Sequence, residues 1–157
     1  MNFDPPESVR PLLAKYEQFI SEVVMPAEAV VLERGFKEAA PQLLALRARA
    51  KQEGLWLPQM DKHAGGLGLS LVEHGLVSER LGRSPLGHYV CNAQAPDAGN
   101  MEILHKYGTP DQKKRWLEPL TSGEIRSCFS MTEPENPGSN PTLLSCTAKR
   151  DGDHYVI

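Results

Sequence analysis

Thr132, Glu133, Glu135, Gly138 and Ser139 fall within one short stretch, R-S-C-F-S-M-T-E-P-E-N-P-G-S, running from Arg126 to Ser139. These residue types open two kinds of chemistry. A pair of carboxylates can move protons, and hydroxyls beside unpaired backbone N–H groups can hold the polar part of a ligand. Pro134, Pro137 and Gly138 remove a backbone donor, fix φ, or allow φ to turn positive. The stretch must therefore leave extended structure and form a shaped loop. Its start, Cys128, Phe129, Ser130 and Met131, alternates apolar and polar in the manner of a half-buried strand. A plain strand-to-turn connection meets the same spacing and is the commoner use of such residues.

Other reactive side chains do not form recognisable constellations. The five histidines (His63, His74, His88, His105 and His154) lack metal-ligand spacing, and no G-x-S-x-G elbow is present. Cys91, Cys128 and Cys146 are odd in number and lack C-x-x-C spacing, which reads as small buried or half-buried thiols in a reducing compartment. The G-G-L-G run ending at Gly68 lacks the Lys-Ser/Thr of a phosphate cradle.

The elements that must carry the loop read as helices. Asp4, Pro5 and Glu7 look like a helix start, followed by an apolar stripe of Val9, Leu12, Leu13, Tyr16, Phe19, Ile20, Val23 and Val24. Pro26 should end or kink this helix near Met25, and a second segment should stop at Gly35. Pro41 opens a third helix. Leu43, Leu44, Leu46 and Ala50 are expected to face inward and Arg47, Arg49 and Lys51 to stay in water, with Gly54 closing it. Ser70 with Glu73 forms a capping box for the next helix, whose inner stripe is Val72, Leu76, Val77 and Leu81 and whose end is Gly82. Small residues follow around Pro96, with Asp97 an available cap and Met101, Ile103, Leu104 and Tyr107 in helical rhythm. That segment could serve close helix packing or line a pocket. Thr109 with Gln112 is another capping box, followed by an inner face of Trp116, Leu117 and Leu120. Beyond the loop, residues 144–149 alternate again, Asp151-Gly152 reads as a two-residue hairpin turn, and 154–157 as the return strand.

Several of these segments carry a resemblance. M-T-E-P followed by G-S resembles the T-E-P-x-x-G-S-D flavin loop of the acyl-CoA dehydrogenase family, and T-A-K-R-D-G-D-H-Y-V-I resembles the hairpin after it. N-A-Q-A-P-D-A-G-N-M-E-I-L-H-K-Y-G-T-P-D-Q-K-K-R-W-L-E-P-L-T-S-G-E resembles the family's helix pair, in the branch of members ten and eleven and similar bacterial enzymes. The resemblance implies a mainly α chain. An N-terminal all-α domain would occupy 1–124, and the first strands of a middle β domain would occupy 125–157. It implies FAD as cofactor and oxidation of an acyl-CoA thioester between its α and β carbons. The backbone around Phe129 and Met131 and the Thr132 hydroxyl would meet the flavin ring. Gly138 and Ser139 would approach the phosphate and pantetheine, and Gln94, Ala95 and Gly99, with Ser139, would touch substrate. Glu133 would serve the turn and not the proton-abstracting step. Partners implied are acyl-CoA, an electron-transfer flavoprotein and further copies of the chain as a dimer or tetramer.

Two departures from the family pattern stand out. Its G-S-D reads Gly138-Ser139-Asn140 here, so the loop loses a charge. The chain also stops at Ile157, before the family's N-G-x-K-x-W strand, C-terminal bundle and catalytic glutamate. The expectation is a truncated piece, with no catalytic residue of its own, that neither turns over nor binds FAD tightly. Rival readings are a non-catalytic helical interaction module and a flavin monooxygenase of the same fold. Net charge is −3 with both signs scattered, which gives no reason to expect nucleic-acid binding. The absence of a membrane-length apolar run and of a basic leader after Met1 points to a cytoplasmic protein.

Overall fold

The computed structural model describes residues 4–157; Met1, Asn2 and Phe3, on which the leader reading partly rests, lie outside the described residues. It divides into two compact units, one through Ser127 and one from Cys128 to Ile157.

The first unit is helical. Helix α1 (Arg10–Phe19) begins at Val9 with Pro11 in its first turn, so the start lies later than the Asp4-Pro5 signal. Val9 is buried at the N-cap position and makes no side-chain cap. Leu13, Tyr16, Phe19, Ile20 and Val24 form the expected stripe and are essentially excluded from water. Each such side chain contributes about 1.5–3 kcal/mol of apolar burial. Near Pro26, where an end or a kink is expected, the chain stays helical but leaves regular α geometry. A wider turn over Ile20–Val24, closed by the Met25 N–H on the Ile20 carbonyl, carries the chain into α2 (Met25–Glu38). Pro26 thus falls in a first turn, where its missing N–H is not needed. Gly35 does interrupt helical geometry, at φ 80° and ψ 164°.

Helix α3 (Ala40–Gln52) corrects the sequence reading twice. Leu44 is 59% exposed, and Arg47, expected in water, is 4% exposed. Leu43, Arg47 and Ala50 fall at i, i+4 and i+7, so helical spacing places Arg47 on the inner stripe and Leu44 off it. The glycine run after it is a structural turn. Gly66 lies so close to Met60 that a Cβ there would meet the Met60 carbonyl oxygen at 2.2 Å.

Helix α4 (Leu71–Leu81) has the Ser70/Glu73 capping box and buries Val77 and Leu81, whereas Val72, in its first turn, is exposed. A short α5 (Gly87–Val90) precedes α6 (Asp97–Tyr107), which buries Met101 and leaves Ile103 and Tyr107 exposed. Thr109 and Gln112 cap α7 (Pro110–Gln112). A wider turn then leads to α8 (Glu118–Ser122), which ends at Gly123 with φ 78°. Leu117 and Leu120 face inward; Trp116, expected beside them, is 41% exposed and lies against Arg115. Among the described residues no helix is long and apolar enough to cross a membrane.

The second unit holds one antiparallel pair, β1 (Lys149–Asp151) and β2 (His154–Val156), with Arg150 opposite Tyr155. Asp151 pairs with His154, so the turn residues are Gly152 and Asp153, one position later than the sequence reading. Residues 128–131 form no ladder among the described residues, and only Lys149 of the 144–149 alternation joins one. Alternation marks a strand only where a neighbouring strand supplies partners. Cys91 is buried, but Cys128 and Cys146 are exposed, contrary to the reading of all three as sheltered thiols.

Candidate functional site

Around Arg47, the end of α8 is held by side chains. The Arg47 guanidinium lies between two aromatic rings, 4.7 Å from the centroids of Trp56 and Tyr89. It donates to the Tyr89 carbonyl and, at 3.1 Å, to Asn92 Oδ1. Burial pulls its pKa down from the usual arginine value, against the opposing effect of nearby Tyr89. Asn92 Nδ2 donates to the Leu120 carbonyl at 3.0 Å, and Trp56 Nε1 to the Thr121 carbonyl at 2.8 Å. The last carbonyls of a helix have no partner within it, and these side chains supply them.

Asp97 is the second centre. Its side chain is fully buried, and it does not cap α6, the role left open by the sequence. Its Oδ1 accepts from the Ser127 amide at 2.7 Å and the Ser127 hydroxyl at 2.6 Å. Its Oδ2 accepts from Arg126 Nε at 2.8 Å and from Gln94 Nε2. Burial opposes ionisation, but the Ser127 hydroxyl, the Ser127 amide and Arg126 outweigh it and hold the carboxyl below its usual range. Asn100 Nδ2 donates to the Ser127 hydroxyl at 2.8 Å.

A cleft of about 400 Å³ runs between the start of α4 and α6, lined by Gln59, Leu69, His74, Ala98, Gly99 and Glu102. Of the three residues expected to line an acyl slot, Gly99 is on this cleft. Gln94 and Ala95 are not: Gln94 turns its amide to Asp97, and Ala95 is exposed beside the cis Ala95–Pro96 bond. Gln59 presents a buried side-chain oxygen that has no partner among the described residues.

In the second unit, Glu133 organises the loop. It accepts from the Ser145 amide at 2.9 Å, the Cys146 amide at 2.7 Å, the Ser145 hydroxyl at 3.0 Å and Asn136 Nδ2 at 2.9 Å. The Ser145 amide, then Asn136 and the Cys146 amide, bring its pKa down to about 2. It is therefore ionised and fully engaged, a turn residue and a poor proton acceptor. Asn140, where the family pattern has Asp, accepts from the Thr142 amide at 3.2 Å and its hydroxyl at 2.7 Å, so the loss of charge leaves the turn capped.

Phe129, Met131, Thr132 and Ser139 are exposed, and Gly138 is half-buried against the Met131 carbonyl. Among the described residues the Thr132 hydroxyl and the amides from 128 to 133 donate to no group of the chain. An exposed ring, a thioether and a row of unused donors suit a planar group with a polar edge. Among the described residues no three metal-binding side chains cluster.

The helical architecture defines a class. The family model for the acyl-CoA dehydrogenase N-terminal domain matches residues 6–124, and the chain belongs to that family. Acyl-CoA dehydrogenase family member 11 from Gallus gallus is 43% identical over 93% of the chain, and the Homo sapiens protein 42% over the same share. The chain spans 19% of the length of each of these relatives. A solved structure from Mycobacterium abscessus, provisionally assigned as an acyl-CoA dehydrogenase, matches with a TM-score of 0.87 at 40% identity. That match covers 98% of this chain and 41% of the other.

The sequence reading missed Arg47, Asn92, Arg126 and Ser127 as a connected group. Only the helical spacing of Arg47 carried a signal; the other contacts are long-range.

Proposed function

We infer that these residues serve an FAD-dependent acyl-CoA dehydrogenase, with FAD against Phe129, Met131 and Thr132 and its phosphates toward Gly138 and Ser139. The family match over 6–124 carries this reading, and the unused donors of 128–133 support it. FAD, when bound, would supply the hydride acceptor for oxidation of the thioester between its α and β carbons, with an electron-transfer flavoprotein as the onward partner. The chain's own residues bind and orient. The Thr132 hydroxyl and neighbouring amides donate to the polar edge of the cofactor, and pre-aimed donors of this kind favour developing negative charge. The cleft at Gly99 gives the acyl chain an apolar wall of Leu69 and Ala98. Glu133 keeps the loop in shape and stays out of proton transfer. Residues 1–157 then supply no base and bind FAD weakly alone. The 1–124 and 125–157 division and assembly as a dimer or tetramer belong to the same reading.

The protein from its source, given saturated acyl-CoA thioesters and an artificial electron acceptor, should release the 2-enoyl thioester. Oxygen consumption without any thioester would instead favour a monooxygenase of this fold. A colourless protein that binds neither FAD nor thioester would favour an interaction module. FAD added to residues 1–157 alone should give little spectral change; tight binding would contradict the weak-binding claim.

A further inference from the structure

We propose that Asp97 is a positioning residue: it ties Ser127, the last residue before Cys128 and the proposed flavin loop, to the segment that carries Gln94 and Gly99. The proposal rests on the flavoprotein reading for its consequence, but the tie is visible without it.

One buried carboxylate accepts from both polar groups of Ser127, at 2.7 Å from the amide and 2.6 Å from the hydroxyl. The same group accepts from Arg126 Nε at 2.8 Å and from Gln94 Nε2. Asn100, one turn along α6, closes the ring by donating to the Ser127 hydroxyl at 2.8 Å. Arg126 lies 5.1 Å from the centroid of Tyr89, whose ring also meets Arg47. Ser127 is otherwise in irregular structure and has no strand partner among the described residues, so these side chains replace the ladder that would normally fix such a segment. A carboxylate is suited to this because its two oxygens accept several charge-assisted bonds at once. Ser127 directly precedes Cys128, where the proposed flavin loop begins.

The test compares Asp97→Asn, Asp97→Ala and the unchanged protein by amide hydrogen exchange, with flavin affinity and the split between kcat and KM measured alongside. Asn keeps the acceptor for Ser127 but loses the charge facing Arg126; Ala loses both. Exchange of the Ser127 amide should quicken more than tenfold in Asp97→Ala and less in Asp97→Asn, while amides of α1 and α3 stay as slow as before. In the flavin-loaded protein kcat should fall at least tenfold in Asp97→Ala with KM changed less than threefold, and Asp97→Asn should recover part of it. Unchanged exchange at Ser127, in a variant that still folds, overturns the proposal. Equal quickening at α1 and α3 also overturns it, because Asp97 would then support the whole unit and not this segment. If Asp97→Ala fails to fold, Asp97→Asn and Ser127→Ala decide on the same exchange readout. Selective quickening in a protein that binds no flavin supports the tie and rejects the flavoprotein reading, so the two failures stay distinct.

Discussion

The two units are held together by different physics. Up to Ser127, order rests on apolar burial, with Tyr16, Phe19, Ile20, Val24, Val77 and Leu81 excluded from water. Arg47 and Asp97 enter that interior with their charged groups partnered. From Cys128 onward no described residue is buried, and the loop is shaped by hydrogen bonds to one exposed-side carboxylate, Glu133. The contrast suits a division of labour. A packed body gives rigidity, while a segment that packs on nothing of its own keeps apolar side chains and N–H donors available for something else to cover.

Substitutions sharpen this contrast from both sides. Arg47→Ala should cost the helical unit about 3 kcal/mol in urea unfolding, since it empties a stacked site and leaves Asn92 Oδ1 unpaired. Tyr16→Phe should cost about 1–2 kcal/mol, because the buried hydroxyl that donates to the Leu55 carbonyl at 3.0 Å is lost. Arg49→Ala, on the same helix as Arg47 but in water with Glu53, should stay under about 0.5 kcal/mol. A cost for Arg49→Ala equal to that for Arg47→Ala would erase the distinction between stacked and solvated arginine.

Glu133→Gln should leave unfolding of the helical unit unchanged while amides of Ser145 and Cys146 exchange faster. Acid should reproduce the loss of protection at Ser145 and Cys146, read as protection factors because intrinsic amide exchange itself slows as pH falls, while the helical unit loses the Asp97 contribution as well. The Glu133 pKa falls from 4.5 to about 2, so its contribution to loop order is complete above pH 4.5 and is lost as pH drops toward 2. Loosening of Ser145 and Cys146 that begins on raising the pH above neutrality would contradict the assignment.

The helical unit was largely legible in the sequence because helical spacing and capping boxes are local signals. The Ser70/Glu73 and Thr109/Gln112 boxes formed as read. The misreadings had specific causes. Charge suggests water for Arg47 although its helical spacing places it inside. The expected strand at 128–131 depended on a partner that no local pattern can supply. The Asp97 group joins residues about thirty positions apart, Gln94 and Asp97 to Arg126 and Ser127, and single-sequence periodicity does not reach that far.

The central claim is that the donors beside Thr132 serve a flavin that oxidises acyl thioesters. The most direct measurement is the visible absorbance of the protein from its source, followed without oxygen while a saturated acyl-CoA is added. The account predicts a yellow protein whose flavin absorbance bleaches on addition of thioester. A protein that stays colourless when supplied with FAD, or a flavin that no acyl-CoA reduces, would contradict it.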